Sequence, residues 1–366
     1  MTPQGGARVR TMRAAVLKSF GSPLVVEDVA EPALGTGEVI VDVAAASVLS
    51  YAGDIFGGKR GYLLSPPAIP GAGGVGRVRA LGPDAASLAV GDWVFCDPTV
   101  RSRDSAGAPT IVLQGITAGD ERGLRLQKYV HDGAWAERVR VPTENAIPIG
   151  PIEKEQAPVW TMLGRYLVPY GGFVAGDLRA GETVVVNGAT GAFGSAAVGV
   201  ALAMGAGCVV ATGRNGAALE ELARRFGGRV RPVQMVVDEE KDRARIRECA
   251  PGPIDLVLDL LPPAAVPAQV TAALTTVRPR GRVVLMGGVR KNVEISYAWL
   301  MRDCVTVRGQ WMYAREDIGR LVAMVRAGVL RIDGPAVTRF ELERVNEAVA
   351  HAAAHAGAFE ATVVCP

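Results

Sequence analysis

The sequence predicts an α/β protein with two domains, one β-rich and one built on a doubly wound parallel sheet. Three observations support this fold class. The chain has 366 residues, a length typical of about two domains. Residues 13–150 hold short alternating segments separated by turn signals, which is typical of a β-barrel or roll. From about residue 182, apolar strands alternate with helical segments, and repeated βα units imply a parallel sheet covered by helices.

In the β-rich part, strands are predicted at Arg13-Ala-Ala-Val-Leu-Lys, Gly37-Glu-Val-Ile-Val-Asp-Val-Ala and Gly91-Asp-Trp-Val-Phe. Residues 99–133 interrupt this pattern with a polar stretch that contains Gly and Arg. We interpret this stretch as a long loop that could act as a lid, because loops of such length are commonly functional or mobile.

The second part of the chain is predicted to alternate strictly between strands and helices. The strands are Thr183–Asn187, Cys208–Gly213, Val230–Met235, Ile254–Leu261 and Arg282–Gly287, and the helices between them span 193–204, 217–226, 238–249 and 263–276. Beyond residue 314 we expect helices at Glu316–Arg326 and Glu341–Ala356 and a final strand at Ala358–Val364.

Composition excludes several classes of function. The net charge is only +3, and no basic run is followed by aromatic residues, so nucleic acid is not an expected partner. No run of 18 apolar residues exists, so no membrane span is expected. The polar first 13 residues do not form a signal peptide pattern, and the five cysteines include no Cys-x-x-Cys pair. We therefore expect a cytoplasmic protein with reduced thiols.

A glycine turn follows the first buried strand of the parallel sheet. Gly191 and Gly194 fall on the second and third glycines of a G-x-G-x-x-G dinucleotide fingerprint, and Ala189 takes the first position. Gly191 would let the backbone approach a pyrophosphate, and Gly194 would let the next helix pack closely. The helix N-terminus would then present free N–H groups to the phosphates. The alternative is a tight turn with no ligand.

The end of the second strand indicates which dinucleotide binds. An acidic residue at this place would hold the ribose 2′-hydroxyl of NAD. Here Gly213 occupies the place, and Arg214 and Asn215 follow it. The missing carboxylate removes repulsion of a 2′-phosphate, and an arginine can pair with that phosphate. The sequence therefore predicts NADPH, with a solvated arginine at a turn as the alternative.

Several motifs together resemble the medium-chain dehydrogenase/reductase superfamily, and within it the zinc-independent, quinone oxidoreductase-like branch. They are Met12-Arg-Ala-Ala-Val-Leu, Gly37-Glu-Val-Ile-Val, Ile69-Pro-Gly-Ala-Gly-Gly-Val-Gly-Arg-Val, Val90-Gly-Asp-Trp-Val, the turn at 187–194 and Gly281-Arg-Val-Val-Leu-Met-Gly-Gly. The resemblance implies a GroES-like catalytic domain formed by residues 1–165 and 314–366, with a Rossmann domain at 166–313. It also implies a homodimer formed through the Rossmann edge, where Val305-Thr-Val-Arg-Gly-Gln could be the edge strand.

The sequence departs from the zinc-dependent relatives at all three ligand positions. Leu49 or Ser50 stands where those relatives carry a catalytic cysteine, and Ala72 stands where their Gly-His-Glu has histidine. The third ligand position falls near Gly164. None of these residues supplies a thiolate, imidazole or carboxylate to zinc, so we expect no metal. The pair His351 and His355 lies on one predicted helix face, but no third donor is evident and a surface helix is the better interpretation.

Without zinc, the expected acceptor is an activated C=C bond or a quinone. Hydride transfer to a simple ketone creates a localised alkoxide, whereas an enone or quinone spreads the charge as an enolate or phenolate. Tyr51 is the first candidate donor to that oxyanion, with Ser50 beside it and Asp54 in support; packing is the alternative role for Tyr51. Reduction of a ketone, aldehyde or imine, the reverse alcohol oxidation, and an NADPH-binding sensor without turnover remain alternative functions.

The predicted cofactor site combines the glycine turn with the ends of three further strands. Leu260-Leu261 and Gly287-Gly288 end the fourth and fifth strands, at the crevice where the nicotinamide would sit. The residues predicted to bind the cofactor are Gly188, Ala189, Thr190, Gly191, Ala192, Phe193, Gly194, Gly213, Arg214, Asn215, Leu260, Leu261, Gly287 and Gly288.

Overall fold

The computed structural model describes residues 10–104 and 107–366. The chain divides into two compact units. The first unit extends to Met162 and also includes Ala336–Ala356 and Glu360–Pro366. The second unit comprises Leu163–Pro335 together with Gly357–Phe359.

Twelve of the described strands belong to the first unit, and all elements are numbered along the whole chain. The strands are β1 (Thr11–Val16), β2 (Val25–Ala30), β3 (Glu38–Val48), β4 (Gly74–Leu81), β5 (Trp93–Cys96), β6 (Thr99–Arg101), β7 (Ile111–Leu113), β8 (Thr117–Ala118), β9 (Arg138–Pro142), β10 (Ala146–Pro148), β17 (Ala336–Glu341) and β18 (Glu360–Cys365). The helices are α1 (Ala52–Phe56), α2 (Glu121–Gln127), α3 (Ala157–Trp160) and α11 (Val345–Ala354), with 3₁₀ turns at Thr143–Asn145, Lys154–Gln156 and Leu342–Arg344.

The long strand β3 organises the first unit. It pairs with β4 along one edge and with β9 and then β18 along the other, and the sheet runs in the order β10-β5-β4-β3-β18-β17. Inward-facing residues of these strands form one apolar core, in which Trp135 packs edge-on against Phe56 with ring centroids 5.5 Å apart. This confirms the predicted β-rich domain.

The stretch at 99–133 is not the long lid-like loop that the sequence predicted. It folds as the three-stranded sheet β6-β7-β8 followed by α2, although residues 105 and 106 lie outside the described residues. Val100, Val112 and Val130 form a small buried cluster of their own. The strands are only two or three residues long, so their alternation is too short to be seen in a polar sequence.

The second unit contains the parallel sheet. Its strands are β11 (Thr183–Asn187), β12 (Cys208–Gly213), β13 (Val230–Gln234), β14 (Ile254–Asp259), β15 (Val277–Leu285) and β16 (Thr306–Gly309). Its helices are α4 (Leu163–Ala175), α5 (Ala192–Ala203), α6 (Gly216–Phe226), α7 (Glu239–Cys249), α8 (Pro267–Leu274), α9 (Tyr297–Arg302) and α10 (Arg315–Arg326).

The strand order in this sheet is β13-β12-β11-β14-β15-β16, with every pair parallel. This is the 3-2-1-4-5-6 order of a doubly wound dinucleotide fold, so the predicted fold class is confirmed. The central strand β11 reads Thr-Val-Val-Val-Asn and is buried throughout, as expected for a strand covered by helices on both faces. The order also places the ends of β11 and β14 at the topological switch point.

Residues 314–335 belong to the second unit, whereas the sequence placed them with the catalytic domain. Helix α10 packs against α4, and Ile318 and Leu321 of α10 are buried. Gly171 of α4 permits close approach in this region, because a Cβ added there would lie only 2.6 Å from the Cβ of Tyr313. The sequence also missed β17. It predicted a helix that starts at Glu341, whereas Glu341 ends β17 and α11 starts four residues later, at Val345.

Among the described residues, no helix combines the length and apolar character needed to cross a membrane.

Candidate functional site

The glycine turn after β11 has three glycines with three different tasks. Gly188 adopts a φ of +92°, so this residue, rather than Ala189, makes the tight turn. Gly191 precedes α5, and a Cβ added there would meet only the Gly188 carbonyl oxygen, at 3.6 Å. A Cβ on Gly194 would lie 2.0 Å from that same oxygen, so only glycine lets α5 begin so close to the turn. The close contact at Gly194 is the helix packing that the sequence predicts, whereas the approach of a pyrophosphate to Gly191 stays a prediction.

A buried polar network lies at the carboxyl ends of three neighbouring strands, next to this turn. Asn187 ends β11, and its Nδ2 donates to Asp259 Oδ1 of β14 at 2.7 Å. The Thr212 hydroxyl of β12 donates to Asn187 Oδ1 at 2.8 Å. Burial raises the pKa of Asp259 to about 6, against the opposing hydrogen bonds from Asn187 and the Leu261 backbone. The Asn187–Asp259 pair is not among the predicted site residues, although both are polar residues at the ends of apolar strands.

The predicted residues after β14 and β15 lie at the same end of the sheet. Leu260 donates its backbone N–H to the Asn187 carbonyl at 3.0 Å, and Gly288 donates to the Leu261 carbonyl at 2.8 Å. A Cβ on Gly287 would approach Asp259 Oδ2 and the Leu261 carbonyl to 2.7 Å. The structure thus brings both dipeptides together with the glycine turn.

The residues predicted to read the ribose follow β12. A Cβ added to Gly213 would lie 2.4 Å from Thr190 Cγ2 and 2.8 Å from Thr190 Oγ1, so the threonine side chain fills the place of a side chain at 213. Arg214 is exposed. Asn215 caps α6 through its Oδ1, which accepts from the Ala218 N–H at 3.1 Å, so this oxygen serves the helix.

The three predicted catalytic residues lie at the start of α1. Ser50 and Tyr51 are half-buried in the turn before the helix, and Asp54 is exposed in its first turn. The Asp54 backbone N–H donates to the Tyr51 carbonyl at 3.1 Å, but among the described side chains no hydrogen bond joins the Asp54 carboxylate to the Tyr51 hydroxyl. Burial and the neighbouring Tyr62 raise the pKa of Tyr51 well above its ordinary range, so this phenol stays protonated at physiological pH.

Arg60, which is not among the predicted catalytic residues, is a charged neighbour of Tyr51. Its guanidinium carbon lies 4.0 Å from the centroid of the Tyr51 ring. This cation lowers the pKa of Tyr51, but less than burial raises it. The arrangement offers a protonated hydroxyl and a positive charge within one small region of the first unit, and both features favour a developing anion.

The positions at which zinc-dependent relatives carry ligands do not fit zinc. Leu49 packs against the apolar core, and Ala72 does the same. At Gly73 the backbone has a φ of +74°, and an added Cβ would lie 2.5 Å from the Cys96 carbonyl oxygen. A glutamate at this position therefore has neither the backbone conformation nor the space it would need.

Other possible metal ligands are also unsuited. Within residues 10–104 and 107–366, no group of three or more His, Cys, Asp and Glu side chains is arranged to hold a metal ion. His351 and His355 stack with ring centroids 4.0 Å apart, and His351 Nδ1 hydrogen-bonds the Thr362 hydroxyl at 2.9 Å. Burial raises the pKa of Cys96 to about 12, so that thiol does not ionise readily.

Two family profiles match the chain. Residues 35–151 match the alcohol dehydrogenase GroES-like domain, and residues 192–327 match the domain described as zinc-binding dehydrogenase. The first match falls in the first compact unit and the second in the other. The chain belongs to the medium-chain dehydrogenase/reductase superfamily. It is an oxidoreductase.

Curated members of the superfamily match over most of their length. An alcohol dehydrogenase from Moraxella sp. (strain TAE123) is 27% identical over 342 residues, which cover 92% of this chain and 94% of the relative. An alcohol dehydrogenase from Geobacillus stearothermophilus is 27% identical over 336 residues, covering 87% and 90%. These matches support the superfamily and do not distinguish the quinone oxidoreductase-like branch.

Solved structures share the fold. A putative zinc-binding dehydrogenase from Sinorhizobium meliloti 1021 bound to NADP superposes with a TM-score of 0.79 at 21% identity, covering 98% of this chain and 100% of that one. A short chain alcohol dehydrogenase from E. coli CFT073 complexed with NADH gives 0.79 at 20% identity, covering 97% and 99%.

Proposed function

We propose that this oxidoreductase uses NADPH to reduce an activated C=C bond of an enone, or a quinone, and that it does so without zinc. NADPH supplies the hydride. The residues of this chain bind the cofactor, select its phosphate and stabilise the negative charge that forms on the substrate oxygen.

The observation that carries the cofactor proposal is the contact between Gly213 and Thr190. An acidic side chain at 213 would hold the ribose hydroxyls of NAD, but its Cβ would lie 2.4 Å from Thr190 Cγ2, so the Thr190 side chain would have to move to admit it. Arg214 follows at once and is exposed, and its guanidinium can pair with a 2′-phosphate. The solved relatives are bound to NADP in one case and NADH in the other, so the fold admits both.

The glycine turn fits the pyrophosphate. Gly191 opens α5 without a side chain in the way, and as the N-cap residue it has no side chain that could occupy the free N–H groups of that helix. Backbone N–H groups and the helix dipole then face the phosphates. Gly194 and Gly188 hold the helix close enough to the strand for this geometry.

The zinc-independent part of the proposal rests on the donor set and on Tyr51. Leu49, Ala72 and Gly164 supply no thiolate, imidazole or carboxylate, and Gly73, next to Ala72, has no space for a side chain. A protonated Tyr51 can donate a hydrogen bond to an oxyanion, while Arg60 adds positive charge beside it. Because its pKa is raised, the phenol stays protonated at physiological pH and can donate a hydrogen bond to an enolate or phenolate oxygen, which needs less stabilisation than a localised alkoxide.

Direct reduction of a ketone or aldehyde, or the reverse alcohol oxidation, is the second candidate. The curated relatives, described as alcohol dehydrogenases, favour it. A panel of substrates separates the two functions, provided that the zinc content is measured on the same batch of protein. Oxidation of NADPH by enones and quinones, in protein that contains much less than one zinc ion per chain, supports the first function. Turnover of unconjugated ketones, aldehydes, imines or alcohols alone supports the second, and binding of NADPH without any turnover would leave only a sensor role.

We also propose that the chain forms a homodimer through the free edge of β16. This strand ends the six-stranded sheet, and three of the exposed side chains that lie near it in the sequence are large and apolar: Tyr297 is 80% exposed, Met301 62% and Trp311 50%. Contiguous exposed apolar residues commonly mark an interface. Light scattering should give twice the chain mass for the wild type and the monomer mass for Tyr297→Glu combined with Met301→Glu. A monomeric wild type would refute the dimer.

A further inference from the structure

The end of β13 lies beside the end of β12 and continues the surface that follows Gly213. Gly213 and Gln234 are direct partners in the parallel pairing, and the Met235 N–H donates to the Gly213 carbonyl at 2.8 Å. Adjacent strands in a sheet lie about 4.8 Å apart, so groups held at the end of β13 are within side-chain reach of a ligand at the end of β12.

Gln234 joins two arginines at this place. Its side-chain Nε2 donates to the backbone carbonyl of Arg214 at 3.2 Å, and its backbone carbonyl accepts from the guanidinium Nη1 of Arg245, on α7, at 3.0 Å. Arg214 and Arg245 are both exposed. Within the part of the chain that the structure describes, neither guanidinium forms a salt bridge, whereas Lys241 of the same helix pairs with Asp238 at 3.3 Å.

The loop between β13 and α7 contains a residue in a strained backbone conformation. Val237 has a φ of +67°, which is rare for a β-branched residue. The backbone N–H groups of Val236 and Val237 donate to the two oxygens of Asp242 at 2.8 and 2.9 Å. Asp242 is fully buried, and each of its two carboxyl oxygens accepts from one of these amides. Strain retained in this way commonly marks a functional segment.

We infer that Arg245 is a second reader of the cofactor 2′-phosphate, held beside Arg214 by Gln234. The assignment presupposes the NADPH site proposed above and names a residue on α7, a helix outside the glycine turn and the loop after β12. Two guanidinium groups suit one phosphate because a phosphate with two charges has three terminal oxygens, and each guanidinium can pair with two of them. A ribose 2′-hydroxyl offers no such charge.

Dissociation constants of four ligands test the inference: NADPH and NADH, and the fragments 2′-AMP and 5′-AMP, which lack the nicotinamide. Arg245→Ala should weaken NADPH and 2′-AMP binding by about tenfold and change NADH and 5′-AMP by less than about twofold. Arg245→Lys keeps the positive charge but not the planar guanidinium, so it should weaken NADPH and 2′-AMP binding less than Arg245→Ala does. The Arg214→Ala and Arg245→Ala losses should couple in the double variant, because both groups face one phosphate.

Arg247→Ala is the matched control. Arg247 is exposed on the same helix and donates to the Thr275 carbonyl at 2.7 Å, away from Gln234. The Arg247→Ala variant removes one positive charge, as Arg245→Ala does, and should leave the dissociation constants of all four ligands unchanged. Equal losses from Arg245→Ala and Arg247→Ala would reduce the effect to net charge and overturn the assignment. Equal losses for phosphorylated and unphosphorylated ligands, or no loss at all, would also overturn it. A wild type that does not distinguish 2′-AMP from 5′-AMP would instead refute the NADPH proposal itself.

Discussion

Replacing Gly213 with alanine or aspartate would force a Cβ into the side chain of Thr190. The added carbon would lie 2.4 Å from Thr190 Cγ2 and 3.2 Å from its Cβ. Carbon atoms attract best at about 3.5–4.0 Å, so the closest pair overlaps by about 1 Å or more. Rotation of Thr190 relieves only the outer atoms. Overpacking of this kind destabilises a protein by about 1–3 kcal/mol.

Four variants separate the steric effect of a side chain at position 213 from the effect of its charge. They are Gly213→Ala and Gly213→Asp, each made with Thr190 intact and in the Thr190→Gly background. Gly213→Ala should lower the free energy of unfolding by about 1–3 kcal/mol with Thr190 and by much less in the Thr190→Gly background. Comparison within each background cancels the flexibility that Thr190→Gly adds. With space available, Gly213→Asp should reverse the preference to NADH, because its carboxylate accepts from the ribose hydroxyls and repels a 2′-phosphate.

Urea unfolding gives the stabilities, and fluorescence titration gives the dissociation constants of NADPH and NADH. If Gly213→Ala with Thr190 intact were as stable as the wild type, the contact would not constrain this position. If the Thr190→Gly, Gly213→Asp variant still preferred NADPH, residue 213 would not face the ribose, and the cofactor proposal would lose its main support.

Three further outcomes follow from the contacts described above. Burial raises the pKa of Asp259 from 3.8 to about 6. The contribution of this carboxyl to stability is therefore fully present below pH 3.8 and is lost as the pH rises through about 6. Asp259→Asn should remove up to about 3 kcal/mol of this pH dependence from the free energy of unfolding, measured across that pH range. A Cβ at position 194 would lie 2.0 Å from the Gly188 oxygen, so Gly194→Ala should abolish detectable NADPH binding, and unchanged titrations would contradict the assigned packing. Tyr51→Phe keeps the ring under Arg60 and removes the hydroxyl, so kcat should fall about 100-fold at unchanged NADPH affinity, while an unaltered kcat would assign Tyr51 to packing.

The sequence predicted the parallel sheet well because its local signals are strong. The strand Thr183–Asn187 is a run of β-branched residues followed directly by spaced glycines, and β12, β14 and the helices between them repeat that rhythm. Helix α6 was predicted at 217–226 and spans Gly216–Phe226. Such elements depend mainly on their own residues and on burial from both faces of the sheet.

Features that depend on distant contacts were missed. The two- and three-residue strands in 99–133 are stabilised by pairing with each other, and β17 is mostly exposed and pairs with β18. Helix α10 joins the second unit because α4 offers a surface with glycine at Gly171, which no local pattern of α10 reveals. Pairings of this kind are set by tertiary packing.

The candidate site shows the same division. Spacing alone located Gly188–Gly194 and Gly213, because phosphate approach requires glycine at fixed positions. It did not locate the Asn187–Asp259 bond, the Arg60 guanidinium over Tyr51 or the bridge from Gln234 to Arg245, because each joins residues on separate elements. Polar residues at the ends of buried strands would have been the one available signal.

The central claim is that NADPH passes a hydride to an activated acceptor without zinc, and steady-state oxidation of NADPH tests it most directly. The protein would be dialysed against a chelator, its residual zinc measured, and its rate recorded with an enone, a quinone and a matched saturated ketone, each with NADPH and with NADH. We predict turnover of the enone or quinone that exceeds turnover of the saturated ketone, a preference for NADPH, and no gain on adding zinc. Activity that appears only after zinc is restored, or only with the saturated ketone, would contradict the account.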